Sequence, residues 1–563
     1  MVLILLSWLY IVFTSMNLGI SFEKTLRIQQ NNFIVTVILG LFASTILGSI
    51  WAIIGRINIE FHLFLLALNG VLFYFNKKRL QETTTILIKT IQQLSLFLKF
   101  FLGISSLLIL AQCAALPYVV DNESYYIQTI KWLNEYGFVK GLANLHIFFG
   151  QTSGWHITQS IFNFSFFYKN LNDLSGFCLL LGNLFAVIKL NEYFENQKKI
   201  YLIIGLLPLA NALLFQFISA PSPDIPVYIF SFIVFFYFIE GFNKGDVGDF
   251  YTISLLCLYI LYCKPTTVCI LLLPLFYFGY HFKKLMSQSI SLMVTATLVL
   301  IIYSVKNTIL TGYALYPTQL LSSSGFDFAV PEELISFYFD GTRLYGFLLT
   351  RSQFESMSVV QIFIQWLTLN KINSLFNIWS CLLVLISPYF IYRYYSNKAV
   401  WLLYIVMALQ LIVLLVSSPQ FRFFIHFILL FSFLIVSCVI SNRKILFGMF
   451  GSSLIIVAFL TFFTINLSGL TTNKLLSKNS SFTITSVLFP AENSKIETKY
   501  YLLKEGNLRY YSPDANTFFW ISGNGPLPCV NVQQLQYFKS NFHFIPQMRS
   551  KHLKDGFYSK KLE

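Results

Sequence analysis

The chain has 563 residues, of which 56% are hydrophobic and only 11% charged, with a mean hydropathy of +0.66. A water-facing surface needs about 25% charged residues, so this composition excludes a soluble protein and makes the bilayer the solvent. The formal charge of +15 comes from Lys and Arg clustered between apolar runs; these lack the continuous basic stripe of a nucleic-acid binder and read as topology signals.

The first apolar run, 2–20, has neither a basic leader nor a small-residue cleavage pattern, and is read as a retained span. At about 20 residues per crossing, further spans are expected near 33–54, 60–75, 94–120, 174–190, 200–219 and 224–240. The apolar stretch from Tyr251 to Tyr280 is interrupted at Lys264-Pro265, which predicts two short helices meeting there. Proline breaks the hydrogen-bond ladder, and a charge at mid-bilayer is costly. Spans near 286–304, 375–392, 399–417, 422–440 and 445–466 complete an all-α polytopic protein of about fourteen transmembrane helices. The chain then divides into N-terminal spans (1–120), a first large loop (121–173), central spans (174–304), a second loop (305–374), C-terminal spans (375–466) and a polar tail (467–563).

One set of short connections collects Lys24 and Arg27; Lys77, Lys78, Arg79 and Lys89; Lys189, Lys198 and Lys199; Lys244; Lys283 and Lys284; Arg393 and Lys398; Arg443 and Lys444. The other set offers only Arg56, Lys264 and Arg422. The positive-inside rule therefore predicts that both termini, both large loops and the tail are extracytoplasmic. Of the eight Cys, all but Cys529 lie in or beside apolar runs, so no disulfide framework or zinc-type spacing is expected.

In the first loop, Tyr126, Ile130 and Leu133 fall at helical spacing, with Trp132 and Tyr136 nearby and Gly137 to end the run. This pattern predicts an amphipathic helix lying in the membrane interface. In the tail, the alternating run from Ser481 to Leu488 and turn signals at Ser512-Pro513-Asp514 and 523–528 predict a small cap of β or irregular structure.

The candidate chemistry lies at the predicted outer boundary. Asp121 and Glu123 open the first loop directly after a span; they are either helix-capping groups or a pair of acid/base carboxylates. Tyr125 belongs to the same opening, and Asn144, His146, Gln151, Trp155 and His156 follow in a turn-rich stretch fit to form a pocket wall. Asp224 begins the span after a Pro-rich turn, and Lys264, Lys306-Asn307 and Arg422 stand at helix ends. These cations either snorkel to the interface or converge on a phosphate. No phosphate-binding Gly-rich loop, HExxH or GxSxG motif is present.

At these residues the chain resembles the GT-C superfamily of integral-membrane glycosyltransferases, and more closely an uncharacterised bacterial family of multi-pass proteins with such a core. The resemblance rests on Asp121 to Tyr126, Lys131-Trp132 and Gly141 to His146. It continues through Lys306-Asn307 with Gly312 to Pro317, and Pro419-Gln420-Phe421-Arg422-Phe423. Tyr125-Tyr126 stands where that closer family's Tyr-His is expected, and Trp520 with Pro526 to Cys529 is loosely similar to its aromatic, Pro-rich end.

The resemblance implies inverting sugar transfer from a polyprenyl-phosphate-linked donor to a glycan or lipid acceptor at the outer face of a bacterial inner membrane. Asp121 would be the base, with Glu123 as the alternative. Asp224 would position acceptor or a divalent metal, and Lys264, Lys306 and Arg422 would steady the departing lipid phosphate. Two other classes stay open. One is a transporter or polymerase-type protein of surface-polysaccharide assembly, and the other a non-catalytic membrane scaffold.

Overall fold

The computed structural model describes residues 1–28, 32–319, 325–471 and 477–562; small parts of the first connection, the second loop and the tail lie outside the described residues. Eleven described helices are long and apolar enough to cross a membrane, or up to twelve if the bent pair Pro265–Tyr280 and Phe282–Gln288 is one span. Two expected spans form as shorter apolar helices, Val247–Cys263 and Ile425–Val439. The chain is a multi-pass helical membrane protein.

With no water in a bilayer core, polar groups must be satisfied within the protein and close packing must replace the hydrophobic drive between helices. Helices Val2–Thr25 and Phe33–Ile54 meet through small residues. A Cβ on Gly19 would lie 2.1 Å from the Thr36 carbonyl oxygen, and one on Gly40 1.7 Å from that of Ser15. Deeper in, Tyr259 is stacked between Phe42 (4.9 Å) and Phe230 (5.2 Å), while its hydroxyl meets Thr45 and Thr158, each at 3.1 Å. Asn32, Asn397 and Asn442 start their helices by accepting from backbone N–H groups one turn in, the capping role of this side chain.

Several boundaries differ from expectation for local reasons. The span expected at 60–75 continues as one helix, Ile59–Gln93, because Lys77 to Gln93 contains neither Gly nor Pro. At 35 residues it is about 52 Å long, so its basic residues ride on a projecting helix rather than in a loop. The helix expected to reach residue 120 stops at Cys113, and the chain runs irregularly through Pro117. The helix expected to end at 304 runs from Ile290 to Thr311, where Gly312 at φ +86° terminates it; Lys306 and Asn307 are therefore inside it. The expected break falls at Lys264, which stands in extended backbone between Val247–Cys263 and the turn Pro265–Leu271.

The first-loop helix forms at Ile127–Glu135 and stops before Gly137, φ +74°. Unlike an interfacial helix, it has most of its polar face covered by protein. Ile127, Ile130, Trp132 and Leu133 are buried, and so are the polar Gln128, Thr129 and Asn134. The tail roofs it, with Gln128 Nε2 donating to the carbonyls of Gly523 and Gly525, and Lys131 Nζ to those of Asn524 and Gly525, all within 3.0 Å.

The tail is a cap of two antiparallel hairpins, β1 (Tyr500–Glu505) with β2 (Leu508–Pro513) and β3 (Phe544–Met548) with β4 (Phe557–Lys561), plus the helix Val532–Phe542. The alternating run Ser481 to Leu488 is not a strand. Instead, the carbonyls of Ser486, Val487 and Leu488 accept from the Met1 ammonium and from the N–H groups of Val2 and Leu3. They thereby satisfy donors that a helix N-terminus leaves orphaned. Chain start, first loop and tail consequently meet at one end of the bundle.

Candidate functional site

Asp121 enters a single π-turn, Asn122–Tyr126, an element that is rare and frequent at functional sites. Its side chain caps nothing. Oδ2 accepts instead from Arg422 Nη1 at 2.6 Å and from the Tyr126 hydroxyl at 3.4 Å. Arg422 belongs to the turn Phe421–Phe423 just before helix Ile425–Val439. Its Nε donates to Gln420 at 3.1 Å, and its carbonyl accepts from the Tyr228 hydroxyl at 2.7 Å. Burial opposes the guanidinium charge, but Asp121, Tyr126 and Tyr125 outweigh it and raise the pKa above its ordinary value.

A second ion pair lies beside the first. Lys264, presented by the helix break, binds Asp224 at the start of helix Asp224–Gly241. The Phe423 ring is shared by both cations, 3.9 Å from Lys264 Nζ and 5.0 Å from the Arg422 guanidinium. The Asp121 and Arg422 side chains are 22% and 27% exposed, against 2% for Asp224 and 16% for Lys264, so the first pair is the more open to a ligand. Tyr338 of helix Glu332–Phe347 closes one flank, stacked on Tyr316 at 5.8 Å. Burial, reinforced by Asp121, raises its phenol pKa.

Of the remaining expected site residues, Tyr125 stays beside the Asp121 and Arg422 pair and the others lie elsewhere. Glu123 is buried and spent on the tail: its carboxylate accepts from Ser494 Oγ (2.7 Å), Lys495 N (2.9 Å) and Asn122 Nδ2 (3.3 Å). Its carbonyl accepts from Ser522 N and Gly523 N. Burial raises its pKa, and the donors from Ser494, Lys495 and Asn122 offset part of that rise. Asn144 ties the first loop to Phe328 and, through Ser559, to β4. His146 accepts from Phe148 N and packs beside Trp520 at 5.9 Å. Tyr125 is an aromatic neighbour, 4.7 Å from Tyr126 and 5.4 Å from Phe148.

Lys306, inside its helix, points at the Thr152 carbonyl and the Tyr303 ring (4.9 Å), and Asn307 donates to the Ala314 carbonyl. Between Lys306 and Asp121 stand His156 and Tyr126, with rings 4.7 Å apart. The sequence reading singled out neither Tyr228, Tyr338 nor the bridging role of Phe423. The one available signal was Phe423 beside Arg422, an aromatic face next to a cation.

Asp121 and Asp224 each already face a cation, and among the described residues no three His, Cys, Asp or Glu side chains gather as a metal set. A divalent ion needs several unopposed oxygen ligands, so this arrangement does not fit one. What it does fit is an anion at the partly exposed Arg422, with a carboxylate alongside.

A family model, the domain of unknown function DUF8201, matches residues 1–429. No curated protein and no solved structure matches the chain.

Proposed function

The chain belongs to the DUF8201 family, whose matched segment contains Asp121, Asp224, Lys264 and Arg422, and we propose that it is a membrane glycosyltransferase using a polyprenyl-phosphate-linked sugar. The observation that carries this reading is the contact of Asp121 with Arg422 across 301 residues, about a quarter exposed and beside a second ion pair. A carboxylate next to a phosphate-binding cation is what displacement of a lipid phosphate by a hydroxyl requires.

The acceptor oxygen attacks the anomeric carbon and its proton passes to Asp121. The bond between that carbon and the phosphate oxygen breaks, the electron pair leaves with the phosphate, and Arg422 stabilises the charge. Attack from the face opposite the leaving group inverts the configuration. Lys264, neutralised by Asp224, fixes the helix break and the Phe423 ring and does not face the leaving group alone. The clustering of Lys and Arg in alternate connections supports an extracytoplasmic placement of this end of the bundle.

One observation favours a transport reading: a helix broken at a buried ion pair, Lys264 with Asp224, is a feature of transporter sites. Comparing lipid-linked and surface glycans with and without the protein separates the two. A missing sugar is the expected result; an accumulated, intact intermediate would replace transfer with export or polymerisation.

A further inference from the structure

The charges at the site cancel, two carboxylates (Asp121, Asp224) against two cations (Lys264, Arg422). A neutral quartet offers an entering phosphate no net attraction, so the phosphate must take a cation from a carboxylate. The two pairs are not equally available. Asp224 is almost fully buried at 2% exposed and Lys264 is 16% exposed, whereas Asp121 and Arg422 are each about a quarter exposed. Asp121 also holds the weaker form of contact: one guanidinium nitrogen meets one carboxylate oxygen, rather than the two-pronged fork available to this pair of groups.

Arg422 is the fixed member. Gln420 holds its Nε, Tyr228 holds its backbone, and Phe423 lies beside its plane. Asp121 is the member free to turn, standing at the entry of the π-turn with only the long Tyr126 contact besides Arg422 among the described residues.

We propose that Arg422 exchanges partners: it neutralises Asp121 in the empty protein, and the phosphate of an anionic lipid takes it over, releasing Asp121 as an unpaired carboxylate beside the bound headgroup. This rests on the reading of the site as a polyprenyl-phosphate site and adds an order to it. The donor binds first, and its binding frees the base, because the Asp121 oxygen that faced Arg422 is then open to the acceptor hydroxyl. An acceptor hydroxyl arriving before the donor meets an Asp121 still held by Arg422.

The test is equilibrium binding of decaprenyl phosphate to the full chain in nanodiscs of neutral phosphatidylcholine. Asp121→Asn, which removes the competing charge, is expected to bind about tenfold more tightly or better than wild type. Asp121→Glu keeps the charge and should show no gain. Arg422→Gln should weaken binding and abolish the gain when combined with Asp121→Asn. If Asp121→Asn does not yield folded protein, Asp121→Ser makes the same comparison.

Unchanged or weaker binding by a folded Asp121→Asn, with Arg422→Gln still impaired, would overturn the exchange and leave the phosphate site standing. Unchanged binding by Arg422→Gln would overturn both. If the exchange holds while the glycans of cells lacking the protein are normal, sugar transfer alone fails.

Discussion

Glu123 accepts from Ser494 across 371 residues at 2.7 Å, so a carboxylate two positions from Asp121 belongs to the joint between first loop and tail. Glu123→Ala would leave the buried Ser494 hydroxyl without its acceptor, at about 1–3 kcal/mol, and the part-buried Lys495 N–H as well. The expected result is a tail that is cut more readily by protease while the helical core stays intact. A tail as resistant as wild type would remove this role from Glu123.

The same residue predicts a pH dependence. Burial raises its folded pKa above the unfolded value of about 4.3, so the native joint binds more protons than the unfolded chain in the window above that value. Its contribution is therefore fully present below the unfolded pKa and is lost as pH rises through the folded one. Tail protection should be greater near pH 4 than at pH 7. Glu123→Gln should flatten that slope, because the amide keeps an acceptor for Lys495 N and does not titrate. A slope surviving in Glu123→Gln would assign it to another group.

The Asp224 and Lys264 pair should behave as a unit. Removing one partner leaves a buried charge uncompensated, which costs about 3–5 kcal/mol, whereas replacing both with neutral groups costs far less. Asp224→Asn and Lys264→Met should each lower the melting temperature in detergent, and the double variant should recover most of the loss. Additive losses would show that the two do not compensate each other.

Sidedness carried more of the site into view than any motif did. Asp121, Asp224, Lys264 and Arg422 were legible as candidates because the Lys and Arg pattern placed all four at one face, and Pro265 marked the break that presents Lys264. Pairing was not legible, since nothing local to Lys264 points to Asp224, 40 residues earlier, rather than to a ligand. Lys306 was misplaced by one helix end: Gly312 is a C-terminal signal, and extending the helix to it turns an interfacial cation into a buried one. Glu123 could not be sorted from Asp121 because its partners lie in the tail, beyond the reach of any local pattern.

Asp121→Asn should lower the transfer rate by about 10² to 10⁴, the range for loss of a general base, with protein level and detergent stability unchanged. Asp121 makes no capping bond, so loss of a helix cap cannot account for such an effect. Glu123→Gln should keep activity close to wild type. An inactive Glu123→Gln beside an active Asp121→Asn would transfer the proton to Glu123.

The joint between Met1 and Ser486 makes membrane topology a sharp test, because it ties the start of the chain, the tail and the Asp121 end of the bundle to the same side. The Lys and Arg pattern predicts that this side is extracytoplasmic. Asn479 would be a poor reporter, since it is buried and donates to the carbonyls of Leu460 and Phe463. Arg509 on β2 is exposed and, in the opposite set of connections, so is Ser441. The eight native thiols are buried or half-buried, which keeps background labelling low. In intact cells, with any outer membrane permeabilised, Arg509→Cys should react with an impermeant maleimide and Ser441→Cys only after lysis. The reverse pattern would put Asp121 and Arg422 on the cytoplasmic side, where nucleotide-activated sugars are available, and the case for a lipid-phosphate donor would be lost. Labelling of both positions in intact cells would break the helix map itself, since an odd number of crossings separates them in the predicted arrangement.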